Sequence, residues 1–255
     1  MQPAAIYPDL RDRSVYLTGG GSGIGAALTE SFARQGARVA FVDIAEAPSR
    51  ALVARLTPDV AHAPLFLPCD IRDIAALRRS VEAAREAHGD ITVLLNNAAH
   101  DERHRLEDVT PDYFDDRIAV NMRPMLFAAQ AVIPQMIRAG GGAVVNFGSC
   151  SWKLGQGGMA GYTMAKASVQ GLTRSLGRDY GKHNIRANTL VPGWVMTERQ
   201  LALWVTPEAE RQIEAGQMLA GRVMPQDIAE MALFLASAAS KMICGQEFVV
   251  DGGWT

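Results

Sequence analysis

The sequence predicts a doubly wound α/β fold, on three observations. Short apolar runs alternate with longer amphipathic stretches along all 255 residues. Several of the short runs, such as Val39-Ala-Phe-Val42 and Val93-Leu-Leu95, are apolar at consecutive positions, as in strands of a parallel sheet covered on both faces. A glycine-rich turn, Thr18-Gly-Gly-Gly-Ser-Gly-Ile-Gly25, joins the first run to a helical pattern.

Strands are expected at 14–18, 38–42, 65–69, 91–96, 143–147, 186–191 and 247–250, with helices near 24–36, 46–56, 73–88, 111–139, 160–182 and 225–238. Right-handed crossovers would place a ligand crevice at the carboxyl ends of the strands. The length suits one large domain, 1–255, without an interrupting linker. A formal net charge of −2 gives no electrostatic footprint for nucleic acid or an anionic membrane. No apolar run is long enough to span a bilayer, and residues 1–13, with Pro3, Pro8, Asp9 and Asp12, lack the apolar core of a signal peptide. Cys69, Cys150 and Cys244 are odd in number and widely spaced, which fits a reducing cytoplasm better than a disulfide framework or metal cluster.

The first turn carries the first chemical signal. A helix start offers unpaired N–H groups and the positive end of a dipole, and glycines let a phosphate approach them. Residues 18–25, with Gly19, Gly21, Ser22, Gly23, Ile24 and Gly25, are therefore expected to hold a nucleotide pyrophosphate. The second strand ends at Asp43, 18 residues past Gly25, near the spacing of an acid that bonds the adenosine ribose. Its charge repels a 2′-phosphate, and neither Ile44 nor Ser22 supplies a cation, so NAD is expected over NADP. A helix N-cap is the competing role for Asp43. At the third strand end, Asp70 is a candidate acceptor for the adenine amino group, with Ile71 packed near the ring; the alternative is capping of the helix near 73. Asn96 and Asn97 can tie neighbouring backbone, and the small Ala98 beside them leaves room for a cofactor.

The second signal is Tyr162-Thr-Met-Ala-Lys166, two polar groups four apart on one helix face, beside a stripe of Ala165, Val169, Leu172 and Leu176. A tyrosine with a pKa of about 10 is a poor base at neutral pH, and a nearby ammonium favours the phenolate. Ser149, thirteen residues before Tyr162, ends the fifth strand, where its hydroxyl can orient a substrate oxygen; Ser151 competes for that role. Asn121 is a poor helix former inside a long helical stretch, which points to a structural or proton-relay role, or to a water-held kink. Pro192 and Gly193 turn the chain after the sixth strand, and Val195 and Thr197 offer backbone and hydroxyl groups to a carboxamide.

Taken in order, the loop at 18–25, Asp70, Asn96-Asn97-Ala98, Asn121, Ser149, Tyr162-xxx-Lys166 and Pro192-Gly193 resemble the short-chain dehydrogenase/reductase family over essentially the whole chain. The resemblance implies a three-layer Rossmann fold with a seven-stranded, mainly parallel sheet flanked by helices, and frequent assembly as a homotetramer. It implies a catalytic tetrad of Asn121, Ser149, Tyr162 and Lys166, with Lys166 also holding the nicotinamide ribose. Ala99 departs from the family's usual glycine and narrows the space beside the cofactor.

Three stretches are expected around the reacting carbon: 99–104, 151–156 and 194–200. They are rich in polar groups, with His100, Gln156 and Arg199 among them, and they carry Trp152 and Trp194. Hydrogen-bonding side chains plus an aromatic wall suit a sugar, although ordinary packing is the competing role for both tryptophans. The first and third stretches also resemble the aldose 1-dehydrogenase branch, whose members act on D-xylose, L-fucose, D-arabinose, L-arabinose or galactose. The expectation is a cytoplasmic NAD-dependent enzyme that oxidises the anomeric C1 hydroxyl of an aldose to the aldonolactone. An NADPH-dependent reductase of a 3-oxoacyl or other carbonyl substrate, and a nucleotide-sensing protein without activity, are the alternatives. His100 and His104 flank a charged Asp-Glu-Arg and read as a solvated loop, so no metal is expected. Cys150 has no histidine nearby in sequence to act as its base and reads as a buried small residue.

Overall fold

The computed structural model describes residues 5–255, so the first four residues of the N-terminal stretch read above lie outside the described residues. Seven strands form one sheet: β1 Ser14–Thr18, β2 Arg38–Asp43, β3 Leu65–Pro68, β4 Val93–Asn96, β5 Gly142–Phe147, β6 Ile185–Pro192 and β7 Glu247–Val250. Their order is β3-β2-β1-β4-β5-β6-β7, and every pairing is parallel. The connections diverge between β1 and β4, and that reversal opens a crevice at the strands' carboxyl ends.

Consecutive apolar residues serve two cores, one on each face. Val15, Leu17, Val93 and Leu95 pack with Leu28 and Phe32 of α1 (Gly23–Arg34), Leu52 and Leu56 of α2 (Glu46–Leu56) and Ile228 and Leu233 of the late helix Pro225–Ala236. Tyr16, Leu94 and Val144 face the other way, onto Leu77 and Val81 of α3 (Ile74–His88) and, from the later helix Arg123–Arg138, Ala129 and Val132. Alternate side chains of a strand leave opposite faces, so a sheet covered on both sides must be apolar at every position.

Two stretches differ from expectation. The predicted single helix 111–139 is two: α4 (Pro111–Asn121) and α5 (Arg123–Arg138), separated at Met122 with φ −133° and ψ −57°. Pro124 lies in the first turn of α5; it has no N–H to donate to the carbonyl four residues back, and its ring clashes there, which breaks the helix ahead of it. After α6 (Ala160–Tyr180) and β6 come α7 (Glu198–Leu203) and α8 (Pro207–Gly216), which were not expected. Thr197 and Thr206 cap them, accepting from Gln200 N and Ala209 N, each at 3.2 Å. The last helix, α9, is Pro225–Ala236. No described helix is long and apolar enough to cross a membrane.

Candidate active site

A cleft of about 920 Å³ runs along the carboxyl ends of the strands. Its floor is the glycine loop. Gly19 N donates to Val42 O at 2.7 Å, and Asn97 Nδ2 donates to Thr18 O at 3.1 Å and to Gly19 O at 2.9 Å, so Asn97 ties backbone as expected. Gly19 has φ +69°, and a Cβ on Gly25 would stand 1.7 Å from Gly19 O. These are a turn and a close approach that glycine alone permits. Ser22 begins α1 without a side-chain cap, so the N–H groups of the first turn stay open to an anion. Gly19, Ser22, Gly23, Ile24 and Gly25 line the cleft; Gly21 lies behind them, its N–H donating to Asp43 Oδ2 at 2.9 Å.

Asp43 is not the N-cap of α2, since Ala45 occupies that position. Its Oδ1 accepts from Ala45 N at 2.9 Å, which leaves lone pairs facing the cleft. Asp70 does not cap α3 either: Asp73 does, accepting from Ala76 N at 3.0 Å. Asp70 is held by Arg72, with Nη2 to Oδ2 at 2.6 Å, and that guanidinium lowers its carboxyl below the usual range. Arg72 therefore shares this end of the cleft with Asp70, and Ile71 lines it beside them. Ala98 packs against Gly19, while Ala99 is exposed in the cleft wall.

Three members of the expected tetrad converge. Ser149 at the end of β5, Tyr162 and Lys166 on α6 all line the cleft. Ser149 Oγ donates to Ser151 Oγ at 2.9 Å, so Ser151 backs Ser149. Lys166 Nζ donates to Phe147 O at 2.7 Å and sits 5.8 Å from the centre of the Tyr162 ring. Burial pushes the Lys166 amine down to about 7. Burial also pushes the Tyr162 phenol above its ordinary 10, against the hydrogen bond of Ser149; the Asp101 charge raises it further and Arg103 lowers it. Burial of both groups opposes their ionisation, so the phenolate draws on a further cation in the cleft as well as on Lys166.

Asn121 is fully buried at the end of α4, and both ends of its amide are engaged by one residue. Its Oδ1 accepts from His100 N at 2.8 Å and its Nδ2 donates to His100 O at 3.1 Å. The side chain thus fixes the loop after β4, the structural one of its expected roles. Pro192, Gly193, Val195 and Thr197 border the cleft, with Thr197 N donating to Val195 O at 2.8 Å.

Of the expected substrate residues, His100, Gln156, Trp194 and Arg199 line the cleft. Trp152 does not. Its ring lies outside, half-exposed, with Lys153 Nζ 4.6 Å from its centre, because the chain after Ser149 turns away in a short 3-10 helix, Cys150–Trp152. His104 also points elsewhere: its Nε2 accepts from Gly161 N at 3.3 Å, and Tyr113 Oη lies 3.0 Å from its Nδ1. No cluster of metal-ligating side chains occurs among the described residues. Cys150 is buried, with its thiol pushed up to about 12 by burial. Asp101, Arg103, Gln200, Gln212 and Trp254 also line the cleft and were not singled out by residue. The first two lie in the quoted run 99–104, whereas Trp254 follows β7 by a turn that gives no local signal of where it folds; it stacks on Trp194 at 6.3 Å.

A family model described as enoyl-(acyl carrier protein) reductase matches residues 19–255, from the glycine loop to the last residue. The chain belongs to the short-chain dehydrogenase/reductase family. It is 49% identical over 251 residues to a D-xylose 1-dehydrogenase of Caulobacter vibrioides, covering 98% of this chain and 99% of that one. It is 45% identical over 251 residues to a probable galactose dehydrogenase of Rhizobium meliloti, covering 98% of each. A solved short-chain dehydrogenase, 7α-hydroxysteroid dehydrogenase complexed with NADH and 7-oxoglycochenodeoxycholic acid, superposes with a TM-score of 0.91 at 29% identity, covering 97% of both chains. Family membership makes the protein an oxidoreductase that uses a nicotinamide dinucleotide, and the glycine turn fits one, since no side chain caps the first-turn N–H groups of α1 that face the cleft.

Proposed function

We propose that the protein is an NAD-dependent aldose 1-dehydrogenase that converts the anomeric C1 hydroxyl of a pentose, hexose or 6-deoxyhexose to the aldonolactone. The observation that carries this is the convergence of Ser149, Tyr162 and Lys166 in a cleft whose other wall is polar and aromatic. The full-length likeness to a D-xylose 1-dehydrogenase and a probable galactose dehydrogenase supports it. Asp43, with its carboxylate at the ribose end of the cradle and no cation at Ile44, supports NAD as the cofactor.

When bound, the dinucleotide supplies the hydride acceptor and a positive charge beside Tyr162. Gly19, Gly23 and the first turn of α1 hold its pyrophosphate. Ile71, Asn97, Ala98, Pro192, Gly193, Val195 and Thr197 border its path through the cleft. Ser149 orients the anomeric oxygen, and Tyr162 takes its proton while the C1–H bond breaks and the C1 carbonyl forms. Lys166 binds the nicotinamide ribose, and the ammonium it carries when protonated favours the Tyr162 phenolate. Asn121 is a positioning residue that fixes His100 and the loop beside the sugar. The polar groups converge in the cleft, where they act with little reorganisation. One 255-residue domain carrying both sites, a homotetramer and a cytoplasmic location complete the proposal on the family resemblance; sedimentation of the purified protein tests the assembly.

The decisive experiment follows reduced nicotinamide with a panel of pentoses, hexoses and 6-deoxyhexoses, with NAD and with NADP. Turnover of an aldose with NAD is expected, and Tyr162→Phe retains NAD binding while losing most turnover. Activity on 3-oxoacyl substrates with NADPH and none on any aldose overturns the proposal.

A further inference from the structure

The loop from Ala99 to His104 holds its side chains in two directions. Asp101 and Arg103 line the cleft, whereas Glu102 and His104 do not. The second pair anchors the strip to the protein. Glu102 Oε2 accepts from Arg117 Nη1 at 2.9 Å, and His104 joins Tyr113 and Gly161 N. Its backbone N–H donates to Gly158 O at 2.8 Å, and at the other end His100 is fixed by Asn121. A loop tied down in this way presents opposite charges to the substrate with little freedom to lose on binding.

Asp101 is preorganised across the cleft mouth. Its Oδ2 accepts from Gln200 Nε2 at 2.7 Å and its Oδ1 from Arg199 Nη2 at 3.3 Å; its side chain is 19% exposed. Gln200 is itself oriented by Trp194, whose Nε1 donates to Gln200 Oε1 at 3.0 Å. A carboxylate offers about four lone-pair positions, and with Arg199 Nε also donating to Oδ1 at 3.4 Å one stays available to a ligand hydroxyl. Arg103 is the complementary donor. Its guanidinium lies 5.0 Å over the Trp204 ring, and with the Gln156 amide oxygen turned toward it, Nη1 and Nη2 donate at 2.8 and 3.3 Å. Its Nε is buried without a hydrogen-bond partner, and no ion pair forms to Arg103 among the described residues. Arg103 also stands where the cleft meets a second cavity, of about 330 Å³, bounded by Gly157, Gly158 and Trp204.

We propose that Asp101 and Arg103 are the specificity-determining pair of the sugar site, Asp101 accepting from a sugar hydroxyl and Arg103 donating to a sugar oxygen away from C1. This rests on the aldose dehydrogenase reading above. A substrate without those groups leaves a half-buried carboxylate and guanidinium under-bonded, which is how a polar site rejects an analogue lacking the group it bonds. The pair therefore selects polyols over simple carbonyl compounds of the same length.

The test uses full-length enzyme with NAD and the best-used aldose among D-xylose, L-arabinose and D-galactose, together with its monodeoxy analogues. Asp101→Asn and Arg103→Gln are each expected to raise KM for the parent sugar about tenfold or more, with kcat at saturation and NAD affinity within about threefold. The deoxy analogue that lacks the bonded hydroxyl costs the wild type about the same factor and costs the matching variant little more, a coupling that a structural role does not produce. The pH profile gives a second readout. Ser149 and Cys150 from the end of β5, Asp101 and Arg103 from the strip, and Lys166 from its own helix all face Tyr162. Removing Asp101 moves the acid limb of kcat to lower pH, and removing Arg103 moves it to higher pH. Should one variant not fold, the other with the deoxy series decides. An unchanged KM, or equal losses on parent and every deoxy sugar in wild type and variants, overturns the pair while leaving the dehydrogenase reading standing; a wild type inactive on every aldose overturns both.

Discussion

Lys166 makes the ligand-free protein's stability depend on pH in a way that Lys166→Met removes. The side chain is 2% exposed, and its Nζ has one hydrogen bond, to Phe147 O at 2.7 Å. Burial alone lowers its pKa from 10.5 to about 7. Between those values the unfolded chain holds a proton that the folded chain has released, so stability rises with pH by about 1.4 kcal/mol per pH unit. The cost of the buried ammonium is full below about pH 7, roughly 5 kcal/mol, and vanishes above the unfolded-state value. Methionine of similar length carries no proton and no such cost. It leaves the Phe147 carbonyl without its donor, which costs about 1–3 kcal/mol at every pH. Wild type should therefore gain about 2 kcal/mol on Lys166→Met between about pH 7 and pH 9. Urea unfolding of the ligand-free proteins at fixed protein concentration measures it. Parallel pH dependences of the two proteins would falsify the assignment of an uncharged, buried amine.

Three further outcomes are expected. Gly25→Ala puts a methyl 1.7 Å from Gly19 O and should abolish NAD binding by calorimetry; retained affinity would show that the loop can open there. Asp43→Ala removes the acceptor facing the ribose and the bond from Gly21 N, raising the Kd for NAD about tenfold or more, and adding Ile44→Arg should shift the kcat/KM preference toward NADP. The Cys150 thiol, pushed up to about 12, is only about one part in ten thousand thiolate at pH 8, so maleimide should spare it in the native protein and label it after unfolding; fast native labelling located by mass spectrometry would contradict its burial.

Much of the architecture is legible in the sequence because its cause is local. Val93-Leu-Leu95 must feed two cores, and the run says so by being apolar throughout. The break at Met122 was also written locally, in Pro124, whose missing N–H cannot bond the carbonyl four residues back, but a long amphipathic pattern on both sides masks it. Helices α7 and α8 are short, with only Ala209 and Ile213 of α8 buried and no residue of α7, so each offers too few turns of apolar stripe to stand out from a loop. Trp152 shows the opposite failure. Its sequence neighbours Ser149 and Ser151 line the cleft, but one turn of 3-10 helix carries the indole outside, and adjacency in sequence does not carry direction.

The sequence by itself located the glycine turn, the acid at Asp43 and the Tyr162–Lys166 pair. Glycines at fixed spacing, a strand-end acid and a Tyr-Lys pair one helical turn apart each have a local physical cause, and family order joins them. Tertiary structure decided what surrounds each group. It paired Asp70 with Arg72, engaged Asn121 with the backbone of His100, and buried Lys166, which pushes its amine down to about 7. It also brought Asp101, Arg199, Gln200 and Trp194 to one wall from loops about a hundred residues apart. Desolvation and long-range pairing are properties of a packed environment, and no window of sequence contains them.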